Sequence, residues 1–298
     1  MAVDADFSKV SLLLHMDGAD GSTVITDSSQ RPKPVIAVGD AKISTAQGLF
    51  GGDSGYFDGS GDYLIFPHGP DFDFGTGAFT IEFFLYRAGG TICVLVSSRE
   101  SIAQGTKGQL EIGVNANNTL YFYDGTNTFA SSLSIQNNVW SHCAFCSSGN
   151  GQVSIFIGGA LAFSSTYATD WTRTSNWMVG RWAGGAQYNY QGYLRELRIT
   201  KGVARYTTNF TPPTESFPDT GALYALSGAV ADASNSPAAR LIRAYREDTG
   251  ALAGYATSDA GSGAYTIAVD TSGAHTLNAY PAAGESLPTL TLRGVIPA

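Results

Sequence analysis

The chain has 298 residues, of which 43% are hydrophobic and only 14% are charged, and it contains 36 glycines. This hydrophobic share is ample for packed cores and excludes a wholly disordered chain. The formal net charge of −8 disfavours nucleic-acid binding, because neutralising phosphates requires a basic face that the sequence does not offer. A low charge content with frequent glycines is typical of many short strands joined by tight turns.

The N-terminal third of the chain alternates short apolar runs with turns. Residues 12–29, LLLHMDGADGSTVITDSS, begin with a strand and continue into a turn-rich loop. Residues 35–38 form another short run after two prolines. In residues 55–67, GYFDGSGDYLIFP, a Gly-Ser-Gly turn separates two runs and predicts a β-hairpin.

No segment is typical of a secretion signal or a membrane anchor. The N-terminus carries Asp4 and Asp6 but no basic stretch. No run approaches the ~20 apolar residues that a membrane-spanning helix needs. We therefore expect a soluble chain that is made in a cytoplasm and does not insert into a membrane.

Period-two alternation assigns faces to the central strands. Residues 71–86 predict a strand with an apolar face and a mixed face, namely Ile81, Phe83 and Leu85 against Glu82, Phe84 and Tyr86. Residues 109–114 and 120–123 flank an asparagine-rich turn and predict a hairpin. Residues 139–163, which turn at 148–151, predict a second hairpin with the clearest β signal in the chain.

Cys143 and Cys146 form a C-x-x-C pair within this hairpin. An odd separation in a strand sends the two side chains to opposite faces, and no second pair completes a zinc site. We interpret both cysteines as small strand residues.

The pattern changes after Arg205. Residues 207–221 contain three prolines without alternation and predict a linker. Six short runs follow, at the spacing of a small β-sandwich. We predict one domain over 1–210, a linker over 211–222 and a second domain over 223–298. The basic residues before the linker are interpreted as a solvated strand face rather than a phosphate track: Arg195, Arg198, Lys201 and Arg205.

Six motifs in order resemble the laminin-G-like, concanavalin A-type jelly roll of phage tail and virion proteins. They are the opening strand with its D-S-S loop, GYFDGSGDYL, GAFTIEFFLY, VWSHCAF, VSIFIGGAL and the closing GYLRELRITKGVARYTTNFTPPT. The similarity covers residues 8–217. Residues 227–269 resemble the carboxypeptidase-regulatory-like, transthyretin-type sandwich, a spacer or docking module. The expected fold is all-β, a concanavalin A-like jelly-roll sandwich followed by a small immunoglobulin- or transthyretin-like β-sandwich.

The jelly-roll resemblance implies a structural Ca²⁺, with Asp27 and Glu196 at the matching positions. Where relatives commonly read G-x-I-D-E, this chain has Leu194-Arg195-Glu196, so an arginine replaces one carboxylate. A neighbouring cation opposes metal binding unless Arg195 points to the opposite face. The alternative is that Asp27 only stabilises its turn.

Carbohydrate binding on such folds usually needs aromatic platforms and polar groups for the sugar hydroxyls. The densest candidate stretch is 171–190, with predicted ligand-binding residues Arg181, Trp182, Gln187, Tyr188 and Tyr190. Trp177 shares a face with Val179 and is expected in the core. The alternative is that the aromatic residues cover the end of the sandwich or pack on a neighbouring subunit.

No enzyme motif is found, because the strand carboxylates E-x-D-x-x-E of related glucanases are absent. The resemblance implies a non-enzymatic tailed-bacteriophage virion protein, made in the bacterial cytoplasm, that binds a host-surface glycan. Other virion subunits and further copies of the chain, in a homo-oligomer, are its expected partners. A capsid decoration or collar/tail assembly protein is the alternative. A glycan hydrolase with carboxylates from separate strands stays open.

Overall fold

The computed structural model describes residues 3–99, 109–172, 174–182, 187–221, 224–232, 234–269, 273–281 and 289–297. Regular structure there is almost entirely β-strand, numbered β1 to β22 in chain order. The two helices in these ranges are 3-10 turns at Phe7–Lys9 and Pro70–Phe72, and neither is long and apolar enough to cross a lipid bilayer. The predicted all-β class is confirmed.

The chain divides into two compact units. The larger comprises Lys9–Asp219, and the smaller combines the residues before Lys9 with those from Thr220 onward. The prediction of a separate linker over 211–222 differs from this division, because residues up to 219 pack with the larger unit. Phe217 is 3% exposed and anchors this proline-rich segment.

The first sheet of the larger unit has eight strands. In spatial order they are β14 (Ala160–Thr166), β13 (Gln152–Ile157), β12 (Trp140–Ser148), β7 (Ala78–Arg87), β16 (Gln191–Lys201), β5 (Gly52–Asp58) and β4 (Lys42–Leu49), with β1 (Val10–Leu14) also paired to β16. The predicted hairpin at 139–163 is the β12–β13 pair.

The second sheet also has eight strands. In spatial order they are β11 (Thr128–Ser134), β10 (Thr119–Tyr123), β9 (Glu111–Val114), β8 (Cys93–Ser97), β15 (Trp177–Val179), β6 (Tyr63–Phe66), β3 (Val35–Val38) and β2 (Val24–Ile25). The predicted β9–β10 hairpin is confirmed. All the described pairings in both sheets are antiparallel, as expected for a sandwich.

The hairpin predicted at 55–67 is wrong. Strand β5 lies in the first sheet and β6 in the second, so the chain crosses between layers at this point. Gly59 and Gly61 have φ of 87° and 85°, which a residue with a Cβ rarely adopts. Asp62 holds the crossing by accepting the N–H of Asp58 at 2.8 Å.

The core lies between the two sheets. Ile81, Phe83 and Leu85 face it, as the alternation predicted, and Trp177 joins them. Burying side chains of this size contributes roughly 1.5–3 kcal/mol each.

The two strand cysteines lie on opposite faces, as predicted. Cys143 belongs to the core, whereas Cys146 joins a separate apolar cluster on the outer face of the first sheet. Burial raises the pKa of the Cys146 thiol to about 12, so it is unreactive near neutral pH.

The segment after β16 covers part of this outer face. Tyr206 and Phe210, with ring centroids 3.6 Å apart, pack on Phe156. Arg198 is 5% exposed and Arg195 is 2% exposed, and both pair with carboxylates. The prediction of a solvated strand face is therefore wrong for these two arginines, because the supposed linker packs over this surface.

The smaller unit is a small β-sandwich, and all six predicted runs form strands. They are β17 (Tyr224–Ala229), β18 (Leu241–Arg246), β19 (Leu252–Thr257), β20 (Ala264–Val269), β21 (His275–Tyr280) and β22 (Leu290–Val295). Strands β17 and β20 form one sheet, and the other four form a second in the order β19-β18-β21-β22. The core between them contains Leu226, Ile242, Ile267 and Leu277.

Candidate functional site

Asp27, the first implied calcium ligand, is engaged by its own loop. Its carboxylate accepts the N–H of Leu13 at 3.0 Å, of Ser29 at 2.9 Å and of Lys33 at 2.8 Å. The hydroxyl of Ser29 donates a fourth hydrogen bond to it. This arrangement matches the alternative, in which Asp27 stabilises the turn.

Glu196, the second implied ligand, is fully buried at a bulge in β16. His15 Nδ1 lies 2.8 Å from its Oε2, and Arg195 Nε lies 3.4 Å from its Oε1. Burial opposes protonation of His15, but its bond to Glu196 raises its pKa above the usual value. The guanidinium of Arg195 also contacts Asp17, so it occupies the space between two carboxylates.

The Arg195 guanidinium thus brings to Glu196 positive charge of the kind that calcium would supply. Across the described residues, no group of three or more His, Cys, Asp or Glu side chains is placed to hold a metal ion. The donors around Asp27 and Glu196 do not fit the oxygen-rich shell that calcium prefers.

We expect calcium to leave the thermal midpoint of the protein unchanged. A ligand present at 100 times its Kd would stabilise the fold by about 2.7 kcal/mol, which a thermal melt detects easily. The measurement compares melts in EDTA, in excess Ca²⁺ and in Mg²⁺ at equal ionic strength. A rise specific to Ca²⁺ would restore the calcium prediction.

Trp182, in the predicted aromatic loop, is packed against two side chains. The Arg99 guanidinium lies 4.4 Å from its ring centroid, and the Tyr188 ring lies 5.8 Å away. Trp182 is only 8% exposed, whereas Tyr188 is 40% exposed. Of these two predicted platforms, Tyr188 is the one that a ligand can reach.

The other predicted residues of this loop have different environments. Arg181 lies over the ring of Tyr63 at 4.9 Å, and Gln187 is exposed. Tyr190 is completely buried, with its hydroxyl 3.0 Å from the carbonyl oxygens of Tyr86 and Tyr193. The prediction that Tyr190 contacts a ligand is therefore wrong, because its ring is part of the core. Residues 173 and 183–186 lie outside the described ranges.

A buried polar group lies beside Trp182. Arg99 Nη1 is 3.3 Å from Glu111 Oε2, and the Tyr121 hydroxyl donates to Glu111 Oε1 at 3.0 Å. Burial raises the pKa of Glu111, although Tyr121 and Arg99 oppose this. Within the described chain, Trp182 Nε1 and Gln109 Oε1 are buried without hydrogen-bond partners.

Four aromatic side chains form a second surface, on the outer face of the first sheet. Trp140 on β12, Tyr86 on β7, Tyr193 on β16 and Tyr56 on β5 are successive cross-strand partners, and we call them the aromatic row. Successive ring centroids are 5.6, 5.8 and 5.0 Å apart, and the rings are tilted by 58°, 80° and 43°. All four side chains are partly exposed.

Polar groups border the aromatic row. Lys42, the cross-strand partner of Tyr56, closes one end with its Nζ 5.9 Å from that ring. Gln191 and Asp58 pair across β16 and β5 two positions further along the strands. The hydroxyls of the three tyrosines make no hydrogen bond to any other described residue. The row therefore offers apolar ring surface and free hydroxyls side by side.

The sequence alternation had already placed Tyr86 on the outer face. The alternation could not show that Tyr56, Trp140 and Tyr193 lie next to Tyr86, because the register between strands is not visible in the sequence. The signal available in the sequence was an aromatic residue at an outward-facing position of each of these strands.

Residues 58–205 match the family model described as the concanavalin A-like lectin/glucanases superfamily. The matched stretch includes strands of both sheets, so the predicted concanavalin A-like sandwich is confirmed for the larger unit. Comparison with curated proteins finds no match. The transthyretin-like type of the smaller unit and the phage origin stay predictions.

Solved structures with the same fold include two binding domains. The binding domain of Paraclostridial Mosquitocidal Protein 1 is 13% identical, with a TM-score of 0.52 over 85% of this chain and 64% of that domain. The chain thus spans less than two-thirds of that domain's length. The binding domain of botulinum neurotoxin serotype D is 11% identical, with a TM-score of 0.50 over 94% of this chain and 74% of that one. At such identities the likeness concerns the fold alone.

A domain of a carbohydrate-active enzyme is also similar. Domain 4 of AbnA, a GH43 extracellular arabinanase from Geobacillus stearothermophilus solved in complex with arabinotriose, is 18% identical with a TM-score of 0.49. The alignment covers 65% of this chain and 93% of that domain.

Proposed function

We propose that the larger unit is a glycan-binding domain and that the aromatic row is its contact surface. The observation that carries this proposal is the presence of four partly exposed aromatic rings side by side on one sheet face. A sugar ring has an apolar C–H face and a rim of hydroxyls, so it matches aromatic carbon bordered by phenol hydroxyls. Because the rings follow one another across four strands, they suit an extended oligosaccharide better than a single sugar.

The family match supports this function, since the superfamily description includes lectins. Two of the similar solved structures are named as binding domains, which agrees with a binding role. The exposed Tyr188 and Gln187, in the loop between β15 and β16, form a smaller second candidate surface with less aromatic area than the row.

The proposed role is non-enzymatic. Glycoside hydrolysis usually needs two carboxyl groups facing the scissile bond, one of them free to ionise as nucleophile or base. Glu82, Glu111 and Glu196 are buried, and each pairs with an arginine. For a domain that only binds, incubation with the bound polysaccharide should release no new reducing ends.

The finer biological role rests on the motif resemblance of the sequence. We propose a structural protein of a bacteriophage tail or virion surface that attaches to a host-surface glycan, with other virion subunits as partners. Decoration of the capsid, or assembly of the collar or tail, is the alternative for the same fold. Immunogold labelling of purified particles, or its absence, would test this location.

The binding proposal is tested by truncating the row. The full chain is screened on an array of bacterial surface glycans that includes lipopolysaccharide, and the best ligand is titrated by calorimetry. We expect Trp140→Ala and Tyr193→Ala each to weaken binding about tenfold, which corresponds to about 1.4 kcal/mol of lost contact.

Tyr188→Ala is the matched control, because it removes an exposed aromatic ring from the loop between β15 and β16, outside the aromatic row. It should bind like the parent chain, and thermal melts should show that all three variants are folded. Loss of binding in Tyr188→Ala alone would place the site at the loop between β15 and β16. Absence of any glycan ligand for the parent chain would reject the function itself.

A further inference from the structure

Short side chains leave a recess on the outer face of the first sheet, which we call the serine recess. Cys146, Ser154 and Ser164 are successive cross-strand partners on β12, β13 and β14, and they lie at its floor. Ser148 and Gln152, two positions further along their strands, continue this floor. The cavity has a volume of about 220 Å³. At ~30 Å³ for each water molecule in the liquid it has room for about seven, so it suits one small molecule.

The segment after β16 forms the wall of the serine recess. Three of its residues line the cavity, namely Ala204, Tyr206 and Thr207. Thr80 fixes this segment, because its hydroxyl donates to the carbonyl oxygen of Val203 at 2.9 Å and accepts the N–H of Arg205 at 2.9 Å. The Tyr206 hydroxyl donates to the buried Glu82 carboxylate at 2.8 Å. The wall is therefore preformed, and a ligand would not have to order it.

The lining is polar but uncharged. Among the described residues that border the cavity, none is acidic or basic. Gln152 Nε2 donates to Ser164 Oγ at 2.5 Å, and Ser154 Oγ lies 3.4 Å from the same oxygen. Within the described part of the chain, Gln152 Oε1 and the Thr207 hydroxyl make no hydrogen bond, so both are available to a ligand. The recess thus favours neutral hydroxyl groups over ions, because an ion would lose water there without gaining a counter-charge.

We propose that the serine recess binds one neutral sugar ring. Sugar hydroxyls both donate and accept hydrogen bonds, as the serine, threonine and glutamine side chains do. The Tyr206 ring adds apolar carbon for the C–H face of the sugar. On β12, Ser148 lies eight residues from Trp140, which is about 26 Å at ~3.3 Å per residue. The recess is therefore a second site, separate from the aromatic row.

The test is a titration of the full chain with glucose, galactose and N-acetylglucosamine, followed by amide NMR. The amides that line the recess should shift saturably with at least one of these sugars, with a Kd in the millimolar range. Glucuronate and glucosamine, which carry a charge, should bind about tenfold more weakly or less. A disaccharide that binds more tightly than its monosaccharide would identify the end of a glycan as the ligand, and equal affinity would identify the free sugar.

Ser164→Phe should abolish these shifts, because the new ring would fill the recess. Ser164 is exposed on the edge strand β14, so a larger side chain is tolerated there. Leu161→Phe is the matched control on the same strand, since Leu161 is 40% exposed and does not line the cavity. This control should bind like the parent chain, and Trp140→Ala should also leave the shifts unchanged.

Two results would overturn the proposal directly: no saturable shift with any neutral sugar, or shifts that persist in Ser164→Phe. Loss of the shifts in Trp140→Ala would assign the bound sugar to the aromatic row and would equally overturn it. Saturable binding that Ser164→Phe removes and Trp140→Ala preserves would support the serine recess even if the aromatic row bound no glycan.

Discussion

The Glu82→Gln variant is expected to lose about 3–5 kcal/mol of unfolding free energy, because it leaves a buried arginine without its counter-charge. The Glu82 carboxylate is fully buried, 2.8 Å from Arg198 Nη2, 3.2 Å from His142 Nε2 and 2.8 Å from the Tyr206 hydroxyl. Glutamine has nearly the same shape, so the loss reports charge rather than packing. Denaturation followed by tryptophan fluorescence measures it.

Glu215→Gln is the matched control, since Glu215 is an exposed carboxylate in the same unit. It should change the unfolding free energy by less than about 0.5 kcal/mol. If Glu82→Gln changed the unfolding free energy as little as Glu215→Gln, the ion pair between Glu82 and Arg198 would contribute nothing net to stability.

The same carboxylate predicts a pH dependence. Burial alone would raise the pKa of Glu82, but Arg198, followed by His142 and Arg205, lowers it to about 2. An unfolded glutamate titrates near pH 4.3, so the stabilising contribution is complete above that pH and is lost as the pH falls toward 2. The difference in stability between the parent chain and Glu82→Gln should therefore shrink below about pH 4. A difference that stays constant down to pH 2 would contradict this assignment.

Alternation predicted the strand faces because side-chain direction in a strand depends only on local parity. Ile81 and Glu82 were correctly assigned to opposite faces on this ground. Whether two consecutive strands form a hairpin or cross between layers depends on contacts elsewhere in the chain, so the β5–β6 hairpin was wrong. The prolines near Phe217 likewise resembled a linker, although this one phenylalanine anchors the segment.

The candidate site was harder to predict for a related reason. Trp182 and Tyr188 stand out in the sequence because aromatic residues are dense there, yet Trp182 is buried against Arg99 and Tyr188. Tyr56, Tyr86 and Tyr193 are separated by 30 residues or more in the chain and meet only through strand register. Local composition therefore favoured the packed loop over the open row.

The Gly192→Ala variant is expected to lose about 2–5 kcal/mol of unfolding free energy, because the new Cβ adds both backbone strain and overpacking. Gly192 has φ of 145°, and a Cβ there would lie 2.7 Å from the Tyr190 hydroxyl oxygen and overlap the carbonyl oxygen of Tyr86. Tyr190 cannot easily move, because its ring is fully buried. Chemical denaturation measures the loss.

Gly202→Ala separates the two contributions. Gly202 lies just after β16 with φ of 82°, but a Cβ there meets no atom within 4 Å. The Gly202→Ala variant should therefore lose only the free energy of unfolding that backbone strain removes, about 1–3 kcal/mol. Because Tyr190 bonds the backbone of Tyr86 and Tyr193, crowding at Gly192 should also displace the centre of the aromatic row and weaken glycan binding. Equal stability of the two variants would show that Tyr190 yields freely, and then binding should be preserved as well.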